Sequence, residues 1–479
     1  MNHYHLFNSE RDVMLNKNSK DGRFLTKKNE DLSGIVIRKY LNADAMFKAI
    51  RREFDKTPEF RKGDIKITIS DALMSAFAMF SLKDASLLQL DGRRNDPFER
   101  QNLRNIYGIQ TVPSDSRMRE IGDQIDPKKY IAPAFKTIFQ HLQRGKALEQ
   151  MVFYQGNYLL CLDGSGFFSS KKCSSPFCME KVNSKTGEIT YYLQILGASI
   201  VHPDFKEVIP LCPEMIIKQD GKTKNDCERN AAVRFFEQLR KDHPNLGLII
   251  NEDGLSPNAP HIRELKKNNL HYILVAKPGD HEFLFNYVDT AIKENRTTEF
   301  TIENKENPKI THRFRILNEV PLNKSNQDIL VNYIEYWEYF EETKETTYHN
   351  TWVTDFILSR DNAYTIMRGG RARWKIENET FNTLKNQGYN FEHNYGLGEK
   401  HLAEVFAMLM MLAFLVDQTQ QLCCPLFQSV WKKLKSKKAL WESIRSYFKC
   451  FIVKSMEVLY IALLRGIIPQ ELENLIDTS

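Results

Sequence analysis

The sequence predicts an α/β protein whose central sheet is flanked by helical regions. Short apolar runs at residues 158–162, 246–250 and 271–275 are bounded by turn residues and alternate with stretches of helical periodicity, which is typical of strands in a buried sheet. Before this part, in residues 41–150, and after it, in 421–479, apolar residues recur at helical spacing. We therefore expect an α/β core between two helical segments.

Composition and charge limit the classes of protein that fit. The chain has 479 residues, of which 42% are hydrophobic, enough for a folded protein of about two to four structural units. Its 67 Lys and Arg against 61 Asp and Glu give a net charge of +6, which does not by itself establish nucleic-acid binding. The polar start, the thinly spread cysteines and an apolar segment (405–416) too short to span a bilayer predict a cytoplasmic protein in which that segment is a buried helix.

Periodicity and composition divide the chain into six parts. They are a flexible polar lead (1–33), a helical region predicted to bind DNA (34–150), the first part of the core (151–285), a β-rich insertion (286–356), the second part of the core (357–420) and a basic helical C-terminal region (421–479). The first helical region contains several arginines. They fit a surface that binds DNA phosphates and an ordinary solvated helical surface equally well. They are Arg51, Arg52, Arg93, Arg94, Arg100, Arg104, Arg117 and Arg119.

The predicted core begins with three strands, at residues 158–162, 189–201 and 208–217. A helix from 225, the strand at 246–250, a second helix and the strand at 271–275 follow, so the order is βββαβαβ. This is the order of the ribonuclease H-like fold, in which acidic residues on the first strand, the fourth strand and a later helix converge. Asp163 and Asp253 occupy the first two places, each where we expect the chain to leave the sheet.

A third carboxylate is expected, because phosphodiester cleavage by two metal ions needs several hard oxygen ligands. A predicted helix that breaks at Gly369-Gly370 and resumes from 371 to about 385 places Arg373 and Glu377 one turn apart on one face. An ion pair of this spacing is also common on the surface of any helix. Glu379 is a less favoured alternative because it lies on another face.

Other acidic residues are assigned to ordinary roles. We interpret Asp226, Glu228 and Glu252 as helix-start and loop groups. In the insertion, Trp337 and Trp352 are candidates for stacking on an unpaired base, although most tryptophans on strands belong to the core.

Together, Leu162-Asp163-Gly164-Ser165, Asp253-Gly254 and Arg373-Trp374-Lys375-Ile376-Glu377, with a β-rich stretch before the Glu, resemble the DDE transposases of bacterial insertion sequences. The resemblance covers roughly residues 152–416. It points to the cut-and-paste class, whose signature is Tyr, two residues, Arg, three residues, Glu, six residues, Lys. Arg373 and Glu377 match it, whereas the Tyr position is Gly370 and the Lys position is Leu384, with Lys385 one residue later.

The resemblance implies a DNA transposase that uses two Mg²⁺ ions, with Mn²⁺ able to substitute, held by Asp163, Asp253 and Glu377. It implies that Arg373 and Lys385 contact DNA phosphates, and that the partners are the terminal inverted repeats of the element and target DNA. A homodimer is expected when two ends are brought together, in the bacterial cytoplasm at the nucleoid and without a membrane. Two alternatives stay open: a nuclease or resolvase of the same fold without strand transfer, and a domesticated DNA-binding protein without catalysis.

Overall fold

A computed structural model describes residues 39–218, 225–254, 256–304 and 307–470, so the predicted polar lead lies outside the described residues. Within these ranges twelve strands form one sheet. The strands are β1 (Val152–Tyr154), β2 (Asn157–Ser170), β3 (Met179–Val182), β4 (Ile189–Val201), β5 (Ile209–Pro210), β6 (Glu214–Ile216), β7 (Leu248–Glu252), β8 (His271–Val275), β9 (Thr298–Glu303), β10 (Ile310–Asn323), β11 (Asn326–Phe340) and β12 (Glu345–Thr354). Their order is β3-β4-β2-β7-β8-β12-β11-β10-β9, with β1 beside β2 and with β5 and β6 beside β4.

Helices flank this sheet and also precede and follow it. They are α1 (Ala43–Phe54), α2 (Ile69–Ser81), α3 (Leu87–Asn95), α4 (Pro97–Tyr107), α5 (Asp115–Gly122), α6 (Pro127–Tyr130), α7 (Ala132–Arg144), α8 (Glu228–Asp242), α9 (Ala259–Lys267), α10 (Glu282–Lys293), α11 (Ala363–Arg371), α12 (Asn382–Asn386), α13 (Leu402–Cys423), α14 (Pro425–Leu434), α15 (Lys437–Cys450) and α16 (Met456–Arg465). A π-helical turn, Ile376–Phe381, leads directly into α12. The protein is therefore of the mixed α/β class, as predicted.

The central strands largely agree with the sequence prediction. β4 and β8 have the predicted bounds, and β2, β7 and β8 are parallel to one another while β4 is antiparallel to β2. The predicted third strand is instead the two short pieces β5 and β6, separated by residues 211–213, where Pro213 has no N–H to donate. The unpredicted strand β3 covers the other half of the same edge of β4.

The four strands β9 to β12 extend the central sheet. β12 pairs antiparallel with β8, from Trp352 opposite Val275 to Thr354 opposite Ile273. Helix α10 packs over this extension, where the ring of Phe285 meets that of Tyr333 edge-on at 5.8 Å. Trp352 is fully buried at the junction, so this join is part of the protein core.

Helix α13 lies at the centre of the helical layer. It is long and apolar enough to cross a membrane by length and composition, but all 22 of its residues are buried inside the fold, against α2, α7 and β5 among other elements. The predicted buried helix is thus confirmed, although it is longer than the apolar segment that signalled it. The Asp123 carboxylate accepts the backbone N–H groups of residues 399–402 and caps the start of this helix.

The helical segments before and after the core pack together. Nδ2 of Asn102 donates to the carbonyls of Phe448 and Phe451, and Asp44 accepts N–H groups at the start of α16. Two of the eight arginines also serve within this layer. Arg93 is buried between Asp84 and Glu99, and Arg51 donates to Asp71, so neither forms an open phosphate-binding surface.

Candidate active site

Asp163 and Asp253 come together where the parallel pairing of β2 and β7 stops. The last paired residues are Cys161 and Asn251, and each aspartate lies two positions further along its chain. β7 ends at Glu252, whereas β2 continues in register with β4. The prediction that Asp163 ends its strand is therefore wrong. It lies inside a long strand, at the point where β7 no longer covers that strand's edge.

The helical segment that carries Glu377 packs on the face of β2 to which Asp163 belongs. Asp163 is paired with Gly197 on β4, and such cross-strand pairs share a face of the sheet. A Cβ atom on Gly197 would lie 2.7 Å from Cζ of Phe381, closer than real side chains approach. Gly197 thus allows the π-helical turn to lie directly against the sheet beside Asp163.

Arg373 lies between the predicted carboxylates. Its Nη2 donates to Oε1 of Glu377 at 2.6 Å, and its Nη1 is 3.8 Å from Oδ2 of Asp163. Burial alone would lower the pKa of Arg373, but Glu377, Asp163 and Asp253 together raise it. The one-turn spacing of Arg373 and Glu377 expected from the sequence is present, and the guanidinium group joins all three acidic residues in one electrostatic cluster.

The helix before Arg373 is anchored to the sheet through two glycines. Nδ2 of Asn251 donates to the carbonyl of Gly369 at 2.7 Å. A Cβ on Gly369 would lie 2.8 Å from the ring of Phe153, and one on Gly370 would lie 2.4 Å from Nε1 of Trp352. The predicted helix break is displaced by two residues, because α11 runs through both glycines, ends at Arg371 and is followed by a turn at residues 372–373. Because the two glycines lack side chains, the helix packs closely against Phe153 and Trp352, and this position of the helix brings Arg373 near Asp163.

Glu377 lies in a turn that contains an extra residue. The N–H of Asn382 donates to the carbonyl of Glu377, five positions earlier, which defines a π turn. In a regular α-helix, a residue seven positions further along lies about two turns away and on the same side. A π turn contains one residue more than an α turn, so in a segment that includes it the same two turns take about eight positions. Lys385, eight positions after Glu377, therefore returns toward the side of the helix that bears Glu377. Its Nζ is 2.8 Å from Oε1 of Glu392, and Leu384 is fully buried.

The electrostatic environment of Asp163 holds its proton unusually tightly. Burial, assisted by the nearby Glu377 and Glu228 and opposed by Arg373, raises the pKa of this carboxyl group to about 6. The backbone N–H of Gly164 also donates to its Oδ1 at 2.9 Å. A second positive charge near Asp163 would therefore be strongly favoured at neutral pH.

Glu228, which we interpreted as a helix-start group, is placed at this site by the structure. It is the first residue of α8, and a Cβ on Gly164 would lie 2.1 Å from its Oε1. Burial raises the pKa of Glu228, and Asp253 and Glu252 add to that effect. The sequence contains one signal for this contact, since a glycine inside a strand often marks a close approach by another group.

A cleft of about 450 Å³ opens beside these carboxylates. Asp163, Glu228 and Asp253 line it together with Glu252 and His261. Nε2 of His261 is 2.5 Å from Oε2 of Glu252, and both side chains are more than nine-tenths buried. Burial opposes protonation of His261, but Glu252 raises its pKa overall. One wall of the cleft is therefore a buried ion pair, and the remaining lining is predominantly acidic near β7.

The two tryptophans predicted to contact DNA lie in different surroundings. Trp352 has no exposed surface, so the prediction that it stacks on a base is wrong; its ring packs under Gly370. Trp337 is half-buried on β11 and stacks on His349 with ring centroids 5.2 Å apart. An exposed tryptophan does occur next to Arg373, namely Trp374, which the sequence reasoning did not select.

The donor atoms suit a hard divalent cation. Carboxylate oxygens are the ligands that Mg²⁺ prefers in proteins, and here neighbouring acidic groups raise the pKa of both Asp163 and Glu228. Across residues 39–470, the described positions contain no three His, Cys, Asp or Glu side chains gathered closely enough to enclose an ion as they stand. Arg373 lies among the carboxylates in this arrangement.

Comparisons with known proteins add no identification. No protein-family model matches the chain, and no curated protein matches it. Any functional assignment therefore depends on the geometry of this site together with the motifs that form it.

Proposed function

We propose that this protein is a DNA transposase that cleaves transposon ends and transfers them into target DNA, with Asp163, Asp253 and Glu377 as the catalytic carboxylates. One observation carries the proposal. Residues from β2, from the end of β7 and from a helix far along the chain meet around the guanidinium of Arg373. These are the elements from which the resemblance to DDE transposases takes its three acidic residues.

The strand order supports a ribonuclease H-like core for this enzyme. β4, β2, β7 and β8 lie side by side, with β4 antiparallel to β2 and with β7 and β8 parallel to it. The short strands β5 and β6 lie on the outer edge of β4. Three sequential antiparallel strands followed by two parallel strands, each reached through a helix, is the arrangement expected of that fold.

The chemistry required of the chain is mainly positioning. Two Mg²⁺ ions bound to the carboxylates would activate water and neutralise charge on the scissile phosphate. Asp163 and Asp253 hold hard oxygen ligands at the same edge of the sheet, and Arg373 keeps Glu377 directed toward them. When DNA binds, the guanidinium of Arg373 is placed to exchange a carboxylate contact for a phosphate contact, which it makes with the same fork of donors.

The π turn supports a role for Lys385 in holding DNA. In the signature of the resembling family the lysine follows the glutamate by seven positions, and here it follows by eight. The extra residue of the turn offsets that difference, so Lys385 is on the helical side that the signature requires, while Leu384 belongs to the core. Trp374, 43% exposed beside Arg373, is a better candidate for contact with a base than the buried Trp352.

A nuclease without strand transfer is a second candidate, favoured by one specific contact. The signature places a tyrosine where this chain has Gly370. That position faces the indole of Trp352 so closely that even a Cβ would overlap it. The chain therefore lacks the tyrosine of the cut-and-paste signature, and its fold leaves no room for a side chain at that position.

The test uses plasmids that carry the DNA flanking this gene, incubated with purified protein, MgCl₂ and a target plasmid. The transposase proposal predicts cleaved ends and joined products, whereas the nuclease alternative predicts cleavage alone. Asp163→Asn, Asp253→Asn and Glu377→Gln should each abolish both. Glu379→Gln, two positions further along the same π turn, is the matched control and should retain both activities. Cleavage that survives in Asp163→Asn would refute the site.

A further inference from the structure

A cationic pocket of about 200 Å³ lies beside helix α11. Its lining includes the side chains of His312, Tyr364, Arg368, Arg371, Trp374 and Lys375. None of the lining residues in the described part of the chain is acidic. Arg373, which contacts Asp163 and Glu377, is not among them, so the pocket is separate from the carboxylate cluster.

Three cations of one helical segment meet at this pocket. Arg368, Arg371 and Lys375 follow one another at intervals of three and four positions, the spacing of side chains on one side of a helix. Lys375 is only 4% exposed, and its Nζ donates to the carbonyl of Phe205 at 2.6 Å. Because a backbone carbonyl carries no net charge, this contact leaves the positive charge of Lys375 in place.

The two arginines already have carboxylate partners behind the pocket. Arg368 contacts Asp204, and Nη1 of Arg371 donates to Oε2 of Glu338 at 2.9 Å. Such half-exposed ion pairs are common and do not by themselves require a ligand. A guanidinium group has five N–H donors, however, so each arginine retains donors for a second anion.

The observation that points to a ligand is the imidazole of His312. Only 5% of this residue is exposed, and its Nδ1 is 2.8 Å from the hydroxyl of Tyr336. Its Nε2 is buried and has no hydrogen-bond partner among the residues that the structure describes. A buried polar atom in this state is costly unless a bound group satisfies it.

The protonation of His312 makes its Nε2 a donor. Burial lowers the pKa of this ring, and Arg371 adds to that effect against Glu338, so the imidazole is neutral at pH 7. When the hydroxyl of Tyr336 donates to Nδ1, the single ring proton is on Nε2. The pocket therefore combines two charged forks with one uncharged N–H donor.

A phosphate group fits this combination of donors. Arginine binds phosphate oxygens through its planar fork, and the pocket is several times larger than the space that one water molecule needs. The rings of Tyr364 and Trp374 line the same pocket and suit the sugar or base attached to a phosphate.

We propose that this pocket binds a phosphate group of a DNA strand, with Arg368, Arg371 and Nε2 of His312 as its donors. This inference rests on the proposed function, because it assigns a further DNA contact to the same enzyme. The phosphate could be an internal phosphodiester or the 5′-phosphate at a cut end. Hydrolysis produces the latter when water adds to phosphorus and the 3′ oxygen leaves as a hydroxyl.

The test measures binding of a fluorescein-labelled DNA duplex by the full-length protein in EDTA. Fluorescence anisotropy over a series of KCl concentrations gives the affinity and its salt dependence. Arg368→Gln and Arg371→Gln should each weaken binding. Combined, they should reduce the slope of log affinity against log salt by about 1, because two donors that share one phosphate account for one phosphate contact. Arg296→Gln is the matched control, since Arg296 is another exposed arginine paired with a carboxylate, and it should change neither quantity.

His312→Phe distinguishes the pocket from the exposed arginines around it. Because the imidazole is neutral, this variant should weaken binding by about fivefold and leave the salt slope unchanged. The pocket is refuted if the arginine variants lose affinity while His312→Phe keeps it, or if the double arginine variant reduces the slope by about 2. Thermal unfolding without DNA shows which variants are folded. Should His312→Phe fail to fold, the slope of the double arginine variant decides alone.

Two duplexes of the same sequence, one with a 5′-phosphate and one with a 5′-hydroxyl, identify the source of the phosphate. A loss of affinity confined to the phosphorylated duplex assigns the pocket to a strand end, and an equal loss on both duplexes assigns it to an internal phosphodiester. Equal affinities and slopes in the wild type and in every pocket variant would overturn the inference.

Failure of the inference and failure of the proposed function give different results. If the pocket variants bind DNA as the wild type does, and the wild type cleaves and joins ends, the inference fails and the proposed function stands. If the wild type binds DNA with the expected losses in the variants but neither cleaves nor joins ends in MgCl₂, the proposed function fails and the pocket remains a phosphate-binding site.

Discussion

Replacing Asp163 by Asn should stabilise the folded protein at neutral pH. The folded state raises the pKa of this carboxyl group from its ordinary 3.8 to about 6, mainly through burial. At about 1.36 kcal/mol per pH unit, this corresponds to a destabilisation of about 3 kcal/mol once the group is ionised. Because a quarter of the side chain is exposed and the variant also loses the contact with Arg373, we expect a net gain of about 2 kcal/mol.

The pH dependence follows from the sign of the shift. A carboxyl group with a raised pKa binds its proton more tightly in the folded state, so its ionisation weakens the fold as pH rises from about 4 to about 6. The advantage of Asp163→Asn should therefore be near zero at pH 4, grow through that interval and stay constant above it. Groups elsewhere titrate in both proteins and cancel in the comparison.

The assay is urea denaturation followed by tryptophan fluorescence, at a series of pH values in EDTA and then in MgCl₂. Under the proposed function Mg²⁺ binds the folded site through Asp163, so it should stabilise only the wild type and should narrow the stability difference at pH 8. Asp328→Asn, an exposed aspartate, is the control and should show neither effect. The reasoning would be refuted if Asp163→Asn were less stable than the wild type at pH 8 in EDTA, or if the difference in their free energies of unfolding did not change with pH.

Three further predictions concern the packing and DNA contacts around the site. Gly370→Ala should lower the free energy of unfolding by about 2 kcal/mol or more, although alanine normally favours a helix, because its Cβ would overlap Trp352; Gly279→Ala, which meets no atom within 4 Å, should be nearly neutral in the same denaturation assay. Asp123→Ala should cost about 2 kcal/mol at pH 7 by uncapping α13, and since the four N–H donors lower the pKa of Asp123 against the effect of burial, this loss should shrink as acid protonates the wild type; thermal unfolding at pH 7 and pH 3 measures both. Lys385→Ala should weaken binding of end DNA and reduce the slope of log affinity against log salt by about 1 in fluorescence anisotropy, and an unchanged slope would remove Lys385 from the DNA interface.

The strands at the centre of the sheet could be predicted because a local sequence pattern marks each of them. Residues 189–201 and 271–275 are apolar runs between turn residues, and both are strands with the predicted bounds. The strand before Asp163 is predicted to end at residue 162, because residues 163–166 resemble a turn in sequence. β2 pairs with β4 from Leu159 to Ser170, and this pairing overrides the local preference for a turn. Because β4 is distant in sequence, no local pattern predicts the pairing.

The glycines explain much of what the sequence could not show. Gly369 and Gly370 look like a helix break, since glycine destabilises a helix interior, yet tertiary packing against Phe153 and Trp352 requires them there. Gly164 has the same kind of role for Glu228. Whether a glycine marks a break or a close approach depends on what lies opposite, and that neighbour is distant in sequence.

The position of the site follows from the length of β7. Had β7 continued alongside β2, the edge of β2 beside Asp163 would have been filled by backbone hydrogen bonds, and neither Glu377 nor Glu228 could share that edge with it. Because β7 ends early, Asp253 lies in a loop next to Asp163. Gly164 on β2 and Gly197 on β4 have no side chains, so other groups pack directly against the sheet on both of its faces. Such an arrangement gathers negative charge that weakens the fold, as the raised pKa values of Asp163 and Glu228 show. The stability gained by Asp163→Asn measures how large this cost is, and the proposed function gives a reason for it, since a cation bound at the site would offset the negative charge.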